Sequence, residues 1–333
     1  DVADNATIYF GGGTPSLLPL SGIADIVTAL KQYGFWRRPA EATIECNPGT
    51  ADGEKLSAYR EMGFDRISFG VQSFNDNELK TIGRIHNAEA ALDAIKTAKD
   101  VGFERINADL MYGLPGQTLE SLEQSLVQMA ALDLEHISVY GLILEEGTPL
   151  ERLVTAGRMV LPGEELTDGM YDLVMGYLPR AGYERYEISN FARAGGYSRH
   201  NLVYWNYLPY LGFGAGATGF DGLSRRRGVE SIEKYIEGPL WAEVEELSAE
   251  DIFSEYLFMN LRKREGVSLP EFRRRYQGVL KNFDFEGHFD KIRKKLQGAE
   301  YGELVRFKDD DRFSLTERGF ALGNRVFLEC LED

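Results

Sequence analysis

The sequence predicts an α/β fold: a parallel sheet in the amino-terminal part, followed by a smaller domain of helices and one hairpin. In the amino-terminal part, short β-branched runs alternate with amphipathic segments of helical spacing. Repeated βα units of this kind build a parallel sheet, either open and doubly wound or closed into a barrel. The chain has 333 residues, of which 43% are hydrophobic, enough for a large core.

The predicted strands are short apolar runs, and the predicted helices lie between them. Asp, Asn or Thr stands near several helix starts, and glycine follows several helix ends. The strands cover residues 7–10, 43–46, 66–71, 106–110 and 137–140, and the helices cover 21–33, 52–62, 87–101 and 119–132. One further βα unit ahead of residue 1 would complete a (βα)6 barrel. We therefore expect a partial TIM-like barrel whose first βα unit is missing.

Periodic signals are weaker in the rest of the chain. The Gly-rich and aromatic segment 195–222 has little periodicity, so we expect an ordered loop region there. We expect helices over 164–181, 249–262, 269–276, 289–296 and 317–331, a strand over 185–188, and a hairpin of 304–307 with 313–316. Helices followed by a hairpin indicate a small winged-helix-like domain. The expected domains are a barrel (1–190), a connecting region (191–245) and a carboxyl-terminal domain (246–333).

Charge, cysteine content and hydropathy exclude several classes of protein. The formal net charge of −16 argues against a nucleic-acid surface, because phosphate contacts require clustered Lys and Arg. Cys46 and Cys330 are too few for a disulfide framework or a cysteine-built metal site, and we expect both to be buried. No apolar stretch approaches the roughly 20 residues that cross a bilayer. A cytoplasmic location is therefore expected.

Several chemically useful residues fall where predicted parallel strands end, which is where ligands bind in such folds. A glycine loop at 11–16 follows the first strand. The residues at or near the ends of the next strands are Glu45, Gln72, Asp109 and Ile143, and Arg84 comes just after the loop that follows the third strand. Carboxylates suit ribose hydroxyls or an ammonium group, and Arg can pair with a carboxylate. As a set they predict a site for a nucleoside that carries an amino acid, although each one alone could be structural.

The motifs around these residues resemble the radical S-adenosylmethionine (SAM) barrel of anaerobic coproporphyrinogen III oxidase and its relatives. They are IYFGGGTPSLL at 8–18, IECNPG at 44–49, SFGVQSF at 68–74, GRIH at 83–86 and DLMYGLPGQ at 109–117. The resemblance implies that the methionine part of SAM contacts Gly12, Gly13 and Thr14. It also implies that the SAM pocket includes Glu45, Gln72, Arg84 and Asp109, and that Ile143 borders the adenosine.

In that family, three cysteines ahead of the glycine loop hold a 4Fe–4S cluster, and this sequence does not contain them. Two explanations stay open. We expect this chain to be a fragment of a protein that carries the cysteines before Asp1, because a barrel without its first strand exposes an unpaired edge. The alternative is a family member that has lost the cluster.

A second motif, HNLVYW at 200–205, points to one branch of the family. Imidazole is a common ligand of haem iron, and aromatic rings pack on porphyrin faces. On residue type alone, a histidine in an aromatic loop is more often a structural hydrogen-bonding residue than a ligand. The motif resembles the mark of the HemW-type haem chaperones. That resemblance implies His200 as haem ligand, with Tyr204 and Trp205 in the haem site.

The same resemblance implies a function: haem binding and haem transfer to haem-requiring respiratory proteins, without porphyrinogen decarboxylation. Arg193, Arg199 and the run 225–227 could offset the haem propionates, or could be solvated surface charges. The alternative functions are oxidative decarboxylation of coproporphyrinogen III and a cluster-free scaffold. Homodimerisation and peripheral membrane association stay open at this point.

Overall fold

A computed structural model describes residues 6–238 and 240–331. The chain divides into two compact units, Asp1–His200 and Asn201–Asp333. Each unit is described separately below. The proposed three-part division at 190 and 245 stays a prediction. In the ranges described, no helix combines the length and hydropathy needed to span a bilayer.

The first unit is an α/β fold around one sheet. Its strands are β1 (Thr7–Phe10), β2 (Glu41–Cys46), β3 (Arg66–Gln72), β4 (Arg105–Tyr112), β5 (His136–Gly141), β6 (Glu184–Arg185) and β7 (Asn190–Ala192). Its helices are α1 (Leu20–Gln32), α2 (Gly53–Met62), α3 (Asp76–Thr81), α4 (Ala88–Asp100), α5 (Leu119–Ala131), α6 (Pro149–Thr155) and α7 (Glu164–Arg180). A further helix, α8 (Arg199–Trp205), begins at the end of this unit.

The strand order is β1-β2-β3-β4-β5-β7-β6, with parallel pairing from β1 to β5 and antiparallel pairing of the last two strands. The predicted α/β fold with a mainly parallel sheet is confirmed. The single predicted strand over 185–188 is wrong, because β6 ends at Arg185 and β7 begins only at Asn190. The Arg185 guanidinium donates to the carbonyl oxygens of Glu187 and Ile188. These carbonyls are therefore satisfied without a strand partner.

Local sequence sets the helix starts. The side chains of Asp52, Asn87 and Thr118 accept hydrogen bonds from backbone N–H groups in the first turns of α2, α4 and α5. Such caps satisfy donors that lack a partner within the helix. The helices consequently begin close to the predicted residues.

Strands β1–β5 have one apolar and one polar face, because successive side chains of a strand point to opposite sides. On β4, Ile106, Ala108 and Leu110 belong to the core covered by helices. Asn107 and Asp109 therefore point to the other side. The same alternation defines a polar face formed by Thr7, Tyr9, Glu41, Glu45, Arg66, Ser68, Gln72, Asn107, Asp109, His136, Ser138 and Tyr140.

The second unit contains two small antiparallel sheets and helices. One sheet has β8 (Thr218–Phe220), β9 (Ser224–Gly228) and β10 (Trp241–Glu246); the other has β11 (Val267–Ser268), β12 (Val305–Asp309) and β13 (Arg312–Leu315). The helices are α9 (Ile232–Glu237), α10 (Ala249–Asn260), α11 (Leu269–Tyr276), α12 (Phe285–Leu296), α13 (Glu317–Ala321) and α14 (Gly323–Glu329). Antiparallel pairing of β12 with β13 confirms the predicted hairpin.

Two expectations for this part of the chain are wrong. The segment 195–222 is not a loop throughout, since it contains α8 and β8. The last predicted helix is two helices, because Leu322 leaves the helical conformation, with φ −113° and ψ 25°. At Gly323, where α14 begins, a Cβ would lie 3.1 Å from the Phe327 ring. A Cβ at this distance would require the Phe327 ring to shift, and glycine also weakens a continuous helix.

Candidate functional site

The glycine loop leaves β1 at the carboxyl end of the sheet. A Cβ on Gly11 would lie 2.6 Å from the Tyr9 ring and 3.0 Å from the Glu45 carboxyl, so only glycine fits at position 11. Gly12 has φ +97°, a conformation that favours glycine, and a Cβ on Gly12 or Gly13 would meet nothing within 4 Å. Gly11 thus shapes the loop, while the exposed backbone of Gly12 and Gly13 is open to a ligand.

Asn47, directly after β2, joins this loop to Arg84. Its amide Nδ2 donates to Thr14 Oγ1 over 3.1 Å, and its Oδ1 accepts from Arg84 Nη2 over 2.6 Å. Its backbone N–H donates to Ser16 Oγ over 3.2 Å. Thr14 and Arg84 therefore belong to one hydrogen-bond network.

A third polar side chain converges on the same point. A Cβ on Gly70 would lie 3.1 Å from polar atoms of Arg84, Asn47 and Gln72. Gln72 has φ 71°, unusual for a residue other than glycine, and its Oε1 accepts from the Tyr140 hydroxyl over 3.1 Å. Strained backbone of this kind persists where surrounding contacts hold it, often at binding sites.

Glu45 and Asp109 lie on the polar face beneath this edge. The Tyr9 hydroxyl donates to Glu45 Oε1 over 2.6 Å, and Asn107 Nδ2 donates to Asp109 Oδ1 over 2.6 Å. Burial raises the pKa of Asp109 from 3.8 to about 6; the hydrogen bond from Asn107 opposes this shift. The carboxylate of Glu45 adds to the increase in the pKa of Asp109. A cation or a hydroxyl from a ligand would relieve this concentration of negative charge.

A buried hydrogen-bonded chain continues below Asp109. His136 Nδ1 donates to Asn107 Oδ1 over 2.6 Å, and His136 Nε2 accepts from the Tyr186 hydroxyl over 2.8 Å. The Tyr186 oxygen accepts in turn from the backbone N–H of Ser198 over 3.2 Å. Burial lowers the pKa of His136 well below its usual value, so the ring is neutral. His136 therefore serves to position its neighbours.

His200 lies at the opposite, amino-terminal edge of the sheet. Its Nδ1 is 2.8 Å from Thr7 Oγ1, and its ring stacks on Tyr9 with centroids 4.7 Å apart. Burial lowers the pKa of His200 from 6.5 to about 4. The imidazole is therefore uncharged at neutral pH, which is the form that binds iron.

Glu41 holds the start of α8 in this place. The fully buried carboxylate accepts from the backbone N–H groups of Arg199 and His200, each over 3.0 Å. It also pairs with Arg105 over 2.7 Å. Since Glu41 and Thr7 are register partners at the starts of β2 and β1, these two strands together fix the His200 backbone and ring.

The other two predicted haem contacts lie further along α8, in the second unit. The Tyr204 ring packs edge-on against Tyr210, with centroids 4.7 Å apart. The Arg262 guanidinium lies 5.1 Å from the Trp205 ring centroid. Trp205 Nε1 is buried without a hydrogen-bond partner among the described residues. Arg262 therefore covers part of the Trp205 ring.

Other predicted residues have simpler surroundings. Ile143 follows β5 at the same edge as the glycine loop, and its side chain is 81% exposed. The arginine run is engaged in ion pairs: Arg225 with Glu255, Arg226 with Asp221, and Arg227 with Glu230. These pairs reduce the positive charge that the run could offer to propionates.

The donor set at the glycine-loop edge fits SAM better than it fits a metal cluster. Thr14, Arg84 and Gln72 converge beside exposed loop backbone, and two carboxylates lie below; these groups suit a carboxylate, an ammonium and ribose hydroxyls. In residues 6–238 and 240–331, no group of three His, Cys, Asp or Glu could hold a metal ion. Cys46 and Cys330 are both buried. These residues do not fit a 4Fe–4S cluster.

Comparison with known proteins decides the family. The radical SAM superfamily model matches residues 3–128. The haem chaperone HemW of Bacillus subtilis (strain 168) is 39% identical over 97% of this chain and 85% of its own length. The chain belongs to the HemW family. HemW of Lactococcus lactis is 35% identical over 98% of this chain and 85% of its own length.

The fold of the HemW-family chain agrees with a solved structure. Coproporphyrinogen III oxidase (HemN) from Escherichia coli, a radical SAM enzyme, superposes with a TM-score of 0.81. The match covers 98% of this chain and 77% of HemN, at 21% sequence identity. This likeness shows a shared fold.

Sequence reasoning missed several residues that shape the site. Gly11, Asn47 and Tyr9 make contacts that tie the loop, Arg84 and Glu45 together. Gly11 lies within the motif at 8–18 and Asn47 within the motif at 44–49. Their positions in these motifs could have indicated that they belong to the site. Glu41 gave no signal, because its partners are distant in sequence: Arg105 is separated from it by 64 residues and His200 by 159.

Proposed function

We propose that this chain binds haem and passes it to haem-requiring respiratory proteins, as a chaperone built on a radical SAM fold. The observation that carries the proposal is the neutral His200 imidazole, held by Thr7 and Tyr9 within the HNLVYW motif. Curated relatives named haem chaperone HemW, similar over nearly the whole chain, support it.

His200 is the proposed haem-iron ligand, with Tyr204 and Trp205 in the haem site. A contact to Nδ1 orients an imidazole ligand and tunes its basicity, and Thr7 makes such a contact. Haem is cargo here, so the ligand must hold iron yet release it to an acceptor.

SAM is the proposed second ligand. Its methionine part lies against Gly12, Gly13 and Thr14, and Glu45, Gln72, Arg84 and Asp109 complete the pocket, with Ile143 at the adenosine. Asn47 holds Thr14 and Arg84 ready for the ligand. In the radical SAM family, SAM acts with a 4Fe–4S cluster as a radical source. Because the described residues do not fit the cluster, no step is assigned to it.

Haem binding by His200 is tested with His200→Ala. We expect the Soret band of bound haem to shift or disappear and haem affinity to fall at least about tenfold, since an iron ligand is lost. His288→Ala is the matched control, since it removes an imidazole from α12, and it should bind haem like the unmodified protein. An unchanged Soret band and affinity in His200→Ala would remove His200 as ligand.

We assign the chaperone to the cytoplasm, and treat a homodimer and peripheral membrane association as states to be measured by sedimentation and vesicle flotation. Coproporphyrinogen oxidation is the alternative function. Formation of protoporphyrinogen by the full-length, cluster-reconstituted protein would support the alternative. Haem transfer to an apo-acceptor without that product supports the chaperone.

A further inference from the structure

Tyr9 touches both proposed binding sites. Its hydroxyl donates to Glu45 Oε1 over 2.6 Å, and Glu45 belongs to the proposed SAM pocket. Its ring stacks on His200, the proposed haem ligand, with an interplanar angle of 15° and centroids 4.7 Å apart. One side chain therefore contacts a residue of each site.

The surroundings of Tyr9 leave it little room to move independently. Gly11 lies on one side, where even a Cβ would come within 2.6 Å of the Tyr9 ring. The His200 imidazole lies on another side. The residues that follow Gly11 form the proposed SAM loop. Packed groups shift together rather than deform, so a displacement of this loop is transmitted to the Tyr9 ring.

A ligand bound at Glu45 would also affect the hydrogen bond from the Tyr9 hydroxyl to the Glu45 carboxylate. An ammonium or hydroxyl group that pairs with the Glu45 carboxylate competes with the Tyr9 hydroxyl for the same oxygens. The Tyr9 ring must then adjust, and the stacked imidazole with it. The ring orientation of His200 sets how well its nitrogen can reach iron.

We propose that Tyr9 is a positioning residue that couples the two sites, so that SAM at Glu45 changes the affinity of His200 for haem. The coupling rests on the proposed function. It is reciprocal: haem at His200 changes the affinity for SAM by the same factor.

The test is a haem titration followed by the Soret band, with and without saturating SAM, in the full-length protein and in variants. We expect SAM to change haem affinity about fivefold or more in the unmodified protein, the lower range of measured couplings. Tyr9→Phe keeps the ring stack but loses the hydrogen bond to Glu45. The effect of SAM, taken as the ratio of the haem affinities measured with and without SAM in the same variant, should fall below about twofold.

Two further variants separate positioning from general stability. Tyr9→Leu also removes the ring stack, so it should in addition move the Soret band. Tyr59→Phe is the control, since the buried Tyr59 hydroxyl has no hydrogen-bond partner in the described part of the chain. It should retain the full effect of SAM.

The possible outcomes are distinct. A SAM effect of equal size in Tyr9→Phe and the unmodified protein overturns the coupling, as does haem affinity that is independent of SAM in the unmodified protein. Both results leave haem binding by His200 intact. Haem binding that survives His200→Ala contradicts the haem-ligand assignment instead, whatever Tyr9→Phe shows.

Discussion

Asp109 is the residue whose charge state depends most directly on the fold of the site. Its pKa rises from 3.8 to about 6 on folding because burial disfavours the carboxylate. Its neighbours on the polar face include Glu45, which adds to the shift, and Arg66, which opposes it. At neutral pH the Asp109 carboxylate is therefore charged although burial disfavours this form. It can interact there with a hydroxyl or ammonium group of a ligand.

Asp109→Asn should stabilise the protein at pH 7.5, because the variant buries no charge there. A folded pKa above the unfolded value means that stability is lost as pH rises from 3.8 to 6, so the advantage of the variant should shrink below pH 6. Thermal unfolding of both proteins at pH 5 and pH 7.5 measures this. An advantage that is equal at the two pH values would show that Asp109 does not titrate in this range.

Gly11→Ala should destabilise the first unit by about 1–3 kcal/mol, the usual cost of overpacking. The new Cβ would overlap the Tyr9 ring and crowd the Glu45 carboxyl, and backbone or ring must shift to admit it. Chemical denaturation measures the loss. Gly13→Ala is the matched control, since its Cβ meets no atom within 4 Å. Equal stability of the two variants would contradict the packing described for Gly11.

Among the elements, α8 shows why the segment from 195 was misread. The helix has only seven residues, and its first backbone N–H groups are satisfied by Glu41 rather than by a nearby cap. A helix this short is marginal on its own. Ser198 stands directly before the helix, but its hydroxyl donates to Glu41, so the distant carboxylate is the acceptor for the first backbone N–H groups.

Glu41→Ala should destabilise the protein by about 3 kcal/mol, as is typical when one partner of a buried ion pair is removed. Arg105 would lose its buried carboxylate partner, and the backbone N–H groups of Arg199 and His200 would lose their acceptor. Glu135→Ala is the control, because Glu135 also faces Arg105, at 3.6 Å, but is 26% exposed. Glu135→Ala should lower the free energy of unfolding by at most about 1 kcal/mol. Denaturant unfolding curves of both variants decide this, and similar costs would disprove the capping role.

The strands and long helices of the first unit were predictable because their signals are local. Apolar runs such as 66–71 and caps such as Asp52 act within a few residues. The stretch around β6 and β7 was not predictable. Between these two strands, the Arg185 side chain donates to the carbonyl groups of Glu187 and Ile188, and residue type alone does not show this.

At the scale of the whole molecule, the glycine loop and His200 lie at opposite edges of the sheet in the first unit. The glycine loop leaves the carboxyl end of β1, and His200 contacts Thr7 at its amino end. Tyr9 lies between them on a strand of four residues, about 13 Å long at the rise per residue of a strand. The proposed coupling between haem and SAM therefore needs few intermediate residues.

The sequence by itself determined the α/β class, the glycine loop and the strand-end residues. The strand period and the motif spacing depend only on residues that are close together in the chain. The tertiary structure decided which of these residues touch. It joined Thr14 to Arg84 through Asn47, and it placed His200 on Tyr9. Such contacts link residues that are far apart in the chain; Thr7 and His200, for example, are separated by 193 positions. Local sequence patterns cannot predict contacts of this kind.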